Sequence, residues 1–212
     1  RACEAAPAMS WWPLSRTPDI DGPARPVRIE PLDVVQDAPA ARGSVPGGKA
    51  ALVAAAITAA VGAAVPLAER WEGYRGAVYL DPAGIPTQCY GETVHIDPAR
   101  IYSREECAVK LRARLARIYA PPIIACVPGL TDVRKAQTAG GALVDASYNA
   151  GPAAVCASPM ARHFRAGRWQ EGCEAFSGWY VTARDRRTGQ RVRLAGLVAR
   201  REDERRLCLR GV

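Results

Sequence analysis

The sequence predicts an α+β fold, with one small sheet near the front of the folded region and helices after it. Three observations predict this. Two short alternating stretches, 77–80 and 87–90, are joined by Asp81, Pro82, Ala83 and Gly84. Asp and Pro open such a turn, and Gly supplies a positive φ. A longer segment, 131–149, sets Val133, Ala136, Ala139, Ala142, Leu143 and Ala146 at helical spacing. Helical patterns recur at 158–166, 168–176 and 196–209.

Taken in order, residues 1–48 are rich in Pro, Ala and Arg and show no period. We expect them to be disordered, or to be an upstream extension of the reading frame with translation starting at Met9 or Val45. Residues 50–68 form an uncharged run of 19, about the length that crosses a bilayer. The run is dominated by Ala and Gly, with few of the residues that make insertion strongly favourable. Three readings stay open: a signal peptide cleaved near 63–68, an uncleaved marginal anchor, or a buried helix. Thr58 is its only polar side chain, whereas a globular helix usually has a polar face. A short helix over 67–76, ending near Gly73 or Gly76, then leads into the hairpin. Ser103, Arg104, Glu105 and Glu106 form a capping box. It opens a helix to about Tyr119, which Pro121 and Pro122 are expected to stop. Arg186 to Gln190 reads as the turn of a second hairpin within 181–192.

Composition narrows the function. The chain has 212 residues, 49% hydrophobic, enough for one sizeable core. Its net charge of +8 rests on 29 basic side chains, of which only Lys49, Lys110 and Lys135 are lysines. Nucleic acid, a membrane surface or an anionic cell wall would all suit that charge. Thirteen arginines fall between Arg162 and Arg210. From Arg200 to Arg206, acids and bases alternate at spacings that make i,i+4 pairs, so a solvated helix face is expected rather than nucleic-acid binding. No C-x-x-C pair occurs, and the two imidazoles, His95 and His163, are expected to be surface or packing residues, so neither a zinc site nor a cofactor is expected. Cys89, Cys107, Cys126, Cys156, Cys173 and Cys208 make an even set, which in an exported protein suggests disulfides; Cys3 stands apart.

The candidate chemistry lies in Glu72, Asp81 and Thr87. A glycosidase needs two carboxyl groups flanking the scissile bond, one protonated and one ionised. Glu72 lies beside Trp71 and Tyr74, and burial against aromatic groups raises a carboxyl pKa, as a general acid requires. Asp81, at the mouth of a hairpin, should stay ionised, and the Thr87 hydroxyl could hold a water beside it. The competing reading is structural: Glu72 pairs with Arg70 or Arg75, and Asp81 only makes a turn.

The pattern Glu-x8-Asp-x5-Thr, with Gly84-Ile85-Pro86-Thr87 and Tyr90-Gly91-Glu92-Thr93, resembles glycoside hydrolase family 24, the phage-type lysozymes. Further matches follow in order: Tyr148-Asn149-Ala150-Gly151, the stretch 162–167, and a closing G-L-x-x-R-R-x-x-E segment from Gly196 to Glu204. The resemblance implies a lysozyme-like fold, with a small β-hairpin lobe, a larger helical lobe and a cleft between them. It implies a muramidase acting on the β-1,4 bond between N-acetylmuramic acid and N-acetylglucosamine of peptidoglycan. Glu72 is then the acid, Asp81 the second carboxylate and Thr87 the water-positioning residue, with Tyr90 and Asn149 expected at the sugar. Glu92, where many members carry His, and Pro159 and Met160 depart from the family pattern.

The apolar run also resembles that of signal-arrest-release endolysins, which implies an enzyme tethered to the inner membrane through 50–68 and later released to the periplasm. The expected organisation is therefore 1–48 as an extension, 49–68 as the tether and 69–212 as the catalytic domain of a monomer. The layout suggests the pairings Cys89–Cys107, Cys126–Cys156 and Cys173–Cys208, out of 15 that six cysteines allow. Two alternatives are a lysozyme-like enzyme behind a simple cleaved signal peptide, and a non-enzymatic basic module that binds the cell wall.

Overall fold

The computed structural model describes residues 47–81, 84–94, 96–185 and 187–212. The expected N-terminal extension, Cys3 and His95 lie outside them.

Helix α1 runs unbroken from Gly48 to Glu72, through Pro66. The apolar run and the short helix expected after it are therefore one element. Gly73 ends it at φ 71°, a left-handed conformation that favours Gly. Ala56, Ala60, Ala64 and Ala68, four residues apart, are all fully buried. This stripe faces the centre of the molecule, where a Cβ added to Gly141 would lie 2.7 Å from that of Ala63. Small residues on both sides let the two backbones approach closely. Leu52 and Val53, nearer the start of α1, remain 53% and 37% exposed.

The first hairpin pairs β1 (Arg75–Leu80) antiparallel with β2 (Pro86–Cys89), with a register irregularity between Arg75 and Tyr79. Buried Gln88 organises this lobe. Its amide donates to the carbonyls of Gly76 at 3.0 Å and Arg100 at 2.8 Å, and its oxygen accepts from the Asp97 amide.

Helix α2 (Arg104–Arg114) opens with the expected capping box on Ser103 and Glu106. Contrary to expectation, Pro121 and Pro122 do not stop the helical path. A π-helical turn, Leu115–Tyr119, leads directly into α3 (Ala120–Cys126), and the prolines sit in its first turn, where the absent N–H costs least.

The segment expected as one helix over 131–149 is also subdivided. A 3-10 turn (Pro128–Thr131) precedes α4 (Val133–Lys135), which Asp132 caps by accepting from the amides of Arg134 and Lys135. A π turn (Ala136–Gly140) then leads into α5 (Gly141–Ala150), buried over most of its length. The short α6 (Pro152–Cys156) was not anticipated; α7 (Pro159–Arg165) follows, capped by Ser158. Helix α8 (Trp169–Glu174), the hairpin of β3 (Thr182–Arg184) with β4 (Arg191–Arg193), and α9 (Ala195–Leu209) fall where expected within a few residues. Among the described residues the structure is mostly helical, with two small antiparallel sheets, the α+β arrangement expected.

Three disulfides join Cys89 to Cys107, Cys126 to Cys156 and Cys173 to Cys208, with Cα separations of 5.1, 5.9 and 5.4 Å. These are the pairings the layout suggested. The first ties the β hairpin to α2, and the last ties α8 to α9.

Candidate active site

Glu72 is the last residue of α1. Its side chain is about a quarter exposed, and Oε1 accepts from Arg200 Nη1 at 2.7 Å. Neither Arg70 nor Arg75, the partners considered from sequence, takes that role; Arg70 pairs instead with Asp203 at 3.2 Å. Burial raises the Glu72 pKa, Arg200 opposes the rise, and the negative charge of Asp145 adds to it. The outcome is a carboxyl that keeps its proton more readily than a free one, the direction expected from its aromatic surroundings.

Gly91, at φ 87°, brings the loop after β2 close to this carboxyl. A Cβ there would sit 3.7 Å from Glu72 Oε2 and equally far from the Tyr148 hydroxyl. Tyr148 donates to the Tyr90 carbonyl at 2.6 Å. Burial pushes its phenol pKa up, and the nearby charges of Glu72 and Glu92 push it further.

Asp81 follows β1 at the hairpin mouth, with Oδ1 accepting from the Ile85 amide at 2.8 Å. The Thr87 hydroxyl donates to the Ile85 carbonyl at 2.9 Å. Both side chains thus help shape the turn. Tyr79, on β1 between the two acids, registers both: burial raises its pKa, Arg75 opposes, and Glu72 and Asp81 each raise it further. Both carboxyl charges therefore act on one phenol.

The other sequence candidates behave differently. Tyr90 is fully buried, with its ring 6.1 Å from that of Tyr74. It underlies the loop beside Glu72 and presents no accessible side-chain surface. Asn149 Oδ1 accepts from Arg201 Nη2 at 3.0 Å. Glu92 pairs with Arg114 at 2.9 Å, fastening the loop after β2 to α2. His163 accepts from Arg168 Nε on an exposed edge of α7.

The sequence reading missed the cluster behind Glu72. Arg200 donates from Nε and Nη2 to Asp145 on α5, at 3.0 and 2.9 Å. Arg201 lies 2.8 Å from Glu204. Arg200, Arg201 and Glu204 are 4%, 1% and 0% exposed, so the face of α9 that carries them is interior rather than solvated. Helical charge pairing does hold on the outer face, where Glu202 pairs with Arg205 at i,i+3 and with Arg206 at i,i+4. Asp145, a charged residue inside the apolar pattern of 131–149, was the signal in the sequence that an inward cation had to exist.

Residues 69–204 match the phage lysozyme family model. The chain is 34% identical over 159 residues to the SAR-endolysin of Pseudomonas phage phiKMV, covering 73% of this chain and 89% of that protein. It is 32% identical over 181 residues to the SAR-endolysin of Bacteriophage PS119, covering 82% and 96%. The active form of the P1 phage endolysin Lyz superposes with a TM-score of 0.57 at 25% identity, covering 75% of this chain and 94% of that structure. The matched span begins three residues before Glu72 and ends on Glu204, so this chain belongs to the phage lysozyme family, muramidases of the glycoside hydrolase class.

Proposed function

We propose that this protein is a phage endolysin that hydrolyses the β-1,4 bond between N-acetylmuramic acid and N-acetylglucosamine in peptidoglycan, with Glu72 as general acid. The observation that carries the assignment is the Glu72 carboxyl: partly buried, biased toward its protonated form and held by Arg200 at the end of a rigid helix. Glu72 gives its proton to the glycosidic oxygen as the bond to the sugar carbon breaks. Asp81, at the mouth of the hairpin, acts on the positive charge that develops at that carbon or on the water that attacks it. Thr87 helps place that water. The whole-enzyme test is turbidity loss with outer-membrane-permeabilised cells. Glu72→Gln should abolish lysis and leave wall binding intact. Lysis by that variant would sink the assignment, and a wild type that binds walls without lysing cells would favour a non-enzymatic wall-binding module.

We further propose that α1 first lies in the inner membrane and reaches the folded enzyme only on release. It is long and apolar enough to span by length and composition, and relatives at about this identity carry the name SAR-endolysin. Joined to Glu72 without a linker, α1 cannot stay in lipid and also set the acid beside the hairpin. A simple cleaved signal peptide fits less well, because cleavage near 63–68 would remove Ala56, Ala60 and Val61 from the core. The test is Gly62→Leu. Gly62 faces open space in the fold, so the added side chain strengthens lipid partitioning without a clash. Membrane retention with delayed lysis is expected; lysis on time from soluble periplasmic protein would refute the tether.

A further inference from the structure

Behind Glu72, three carboxyl groups share two guanidinium groups. Were all three ionised, the interior would hold an uncompensated negative charge. The hydrogen bonds indicate which one stays neutral. Arg200 spends Nη1 on Glu72 and both Nε and Nη2 on Asp145. Arg201 Nη2 lies 2.8 Å from Glu204 Oε1 but donates to Asn149. Arg200 Nε is 3.6 Å from the same oxygen, with its hydrogen aimed at Asp145. Neither Glu204 oxygen receives a well-aligned hydrogen bond from the described residues, and the side chain is fully buried. An anion there would lack the donors that make burial tolerable. The carboxyl of Asp145 also bears on it and favours its protonated form. Two carboxyls can pair by a hydrogen bond only with a proton between them.

We propose that Glu204 is a positioning residue for the general acid: it keeps its proton, donates it to Asp145, and so limits how strongly Asp145 draws Arg200 away from Glu72. The inference rests on the reading of Glu72 as the acid. Asp145 already accepts two hydrogen bonds from Arg200, so it is the anion of the pair and Glu204 the acid. Burial holds the Glu204 carboxyl well above the usual carboxylate range, and the charge of Asp145 adds to the effect. The groups facing Glu204 are Asp145 from α5 and Arg200 and Arg201 from its own helix. Those facing Glu72 are Arg200, Asp145, Tyr79 and Tyr148.

The test uses the whole enzyme and the alkaline limb of its pH–lysis profile. Glu204→Ala removes the donor, strengthens the hold of Asp145 on Arg200 and leaves Glu72 with less counter-charge. The limb should then move to higher pH by about half a unit or more. Glu204→Gln keeps an N–H donor and should return the limb toward wild type. Equal displacement in both variants, or none in either, would overturn the proposal. Infrared spectroscopy gives a readout free of activity and of the alanine variant's folding. The carbonyl stretch of a buried, protonated acid should be present at pH 7 and missing in Glu204→Gln; identical spectra would show that Glu204 is ionised. If instead Glu72→Gln still lyses cells, the reading of the acid fails whatever the infrared band shows.

Discussion

Helices α1 and α9 hold the two halves of the Glu72–Arg200 pair, and they invert the usual link between polarity and burial. The first two turns of α1, residues 48–55, are largely apolar and exposed, while the inward face of α9 is charged and sealed. The difference lies in what each helix meets. α9 meets Asp145 and Glu72, so its arginines exchange water for fixed carboxyl partners. Among the described residues, nothing covers the first turns of α1, and their side chains are exposed. A hydropathy pattern therefore records what a residue would accept, and the partner decides where it goes.

The contrast can be broken most forcefully at its charged end. Arg200→Met should destabilise the fold by roughly 3–5 kcal/mol, because two buried carboxyls lose their shared cation; urea denaturation at neutral pH measures it. Opening the α8–α9 staple with Cys173→Ser and Cys208→Ser together should cost about 3–4 kcal/mol, as expected for a loop of 35 residues, read from the same urea denaturation. Ala60→Leu, which forces bulk into the seam against α5, should cost about 1–3 kcal/mol. Leu52→Ser, on the exposed end of α1, should change stability by no more than about 0.5 kcal/mol. A large loss from Leu52→Ser would mean that this end is covered in solution, and the contrast would collapse.

A pH series sharpens the same comparison. The fold raises the pKa of Glu204 above its unfolded value, so it binds a proton that the unfolded chain releases. Stability from this group is full below the unfolded value of about 4.3 and declines as pH rises toward the folded one. Glu204→Gln should flatten that decline in thermal midpoints measured from pH 4 to 8. An unchanged slope would assign the decline to another group.

Local chemistry was legible wherever a short motif fixes geometry. The capping box at Ser103, the turn at Asp81 and Gly84, and the cysteine layout all survive in three dimensions. Boundaries failed where tertiary contacts override propensity. Pro66 does not interrupt α1, and Pro121 and Pro122 sit in the first turn of α3, where the missing N–H costs least. Glu72, Asp81 and Thr87 stood out as candidates because their spacing maps onto a helix end, a turn and a strand. The cluster behind them was not, because 55 residues separate Asp145 from Arg200, and alternating charge looks the same on a wet face and a dry one.

The stripe of Ala56, Ala60, Ala64 and Ala68 has a consequence for how the sequence can drift. Every substitution that would grip lipid more firmly on that side adds bulk to a seam that has no room for it. Under the proposed tether, the seam would set a ceiling on how firmly the helix can hold to a bilayer, leaving outward positions such as Gly62 open to adjust the delay before lysis.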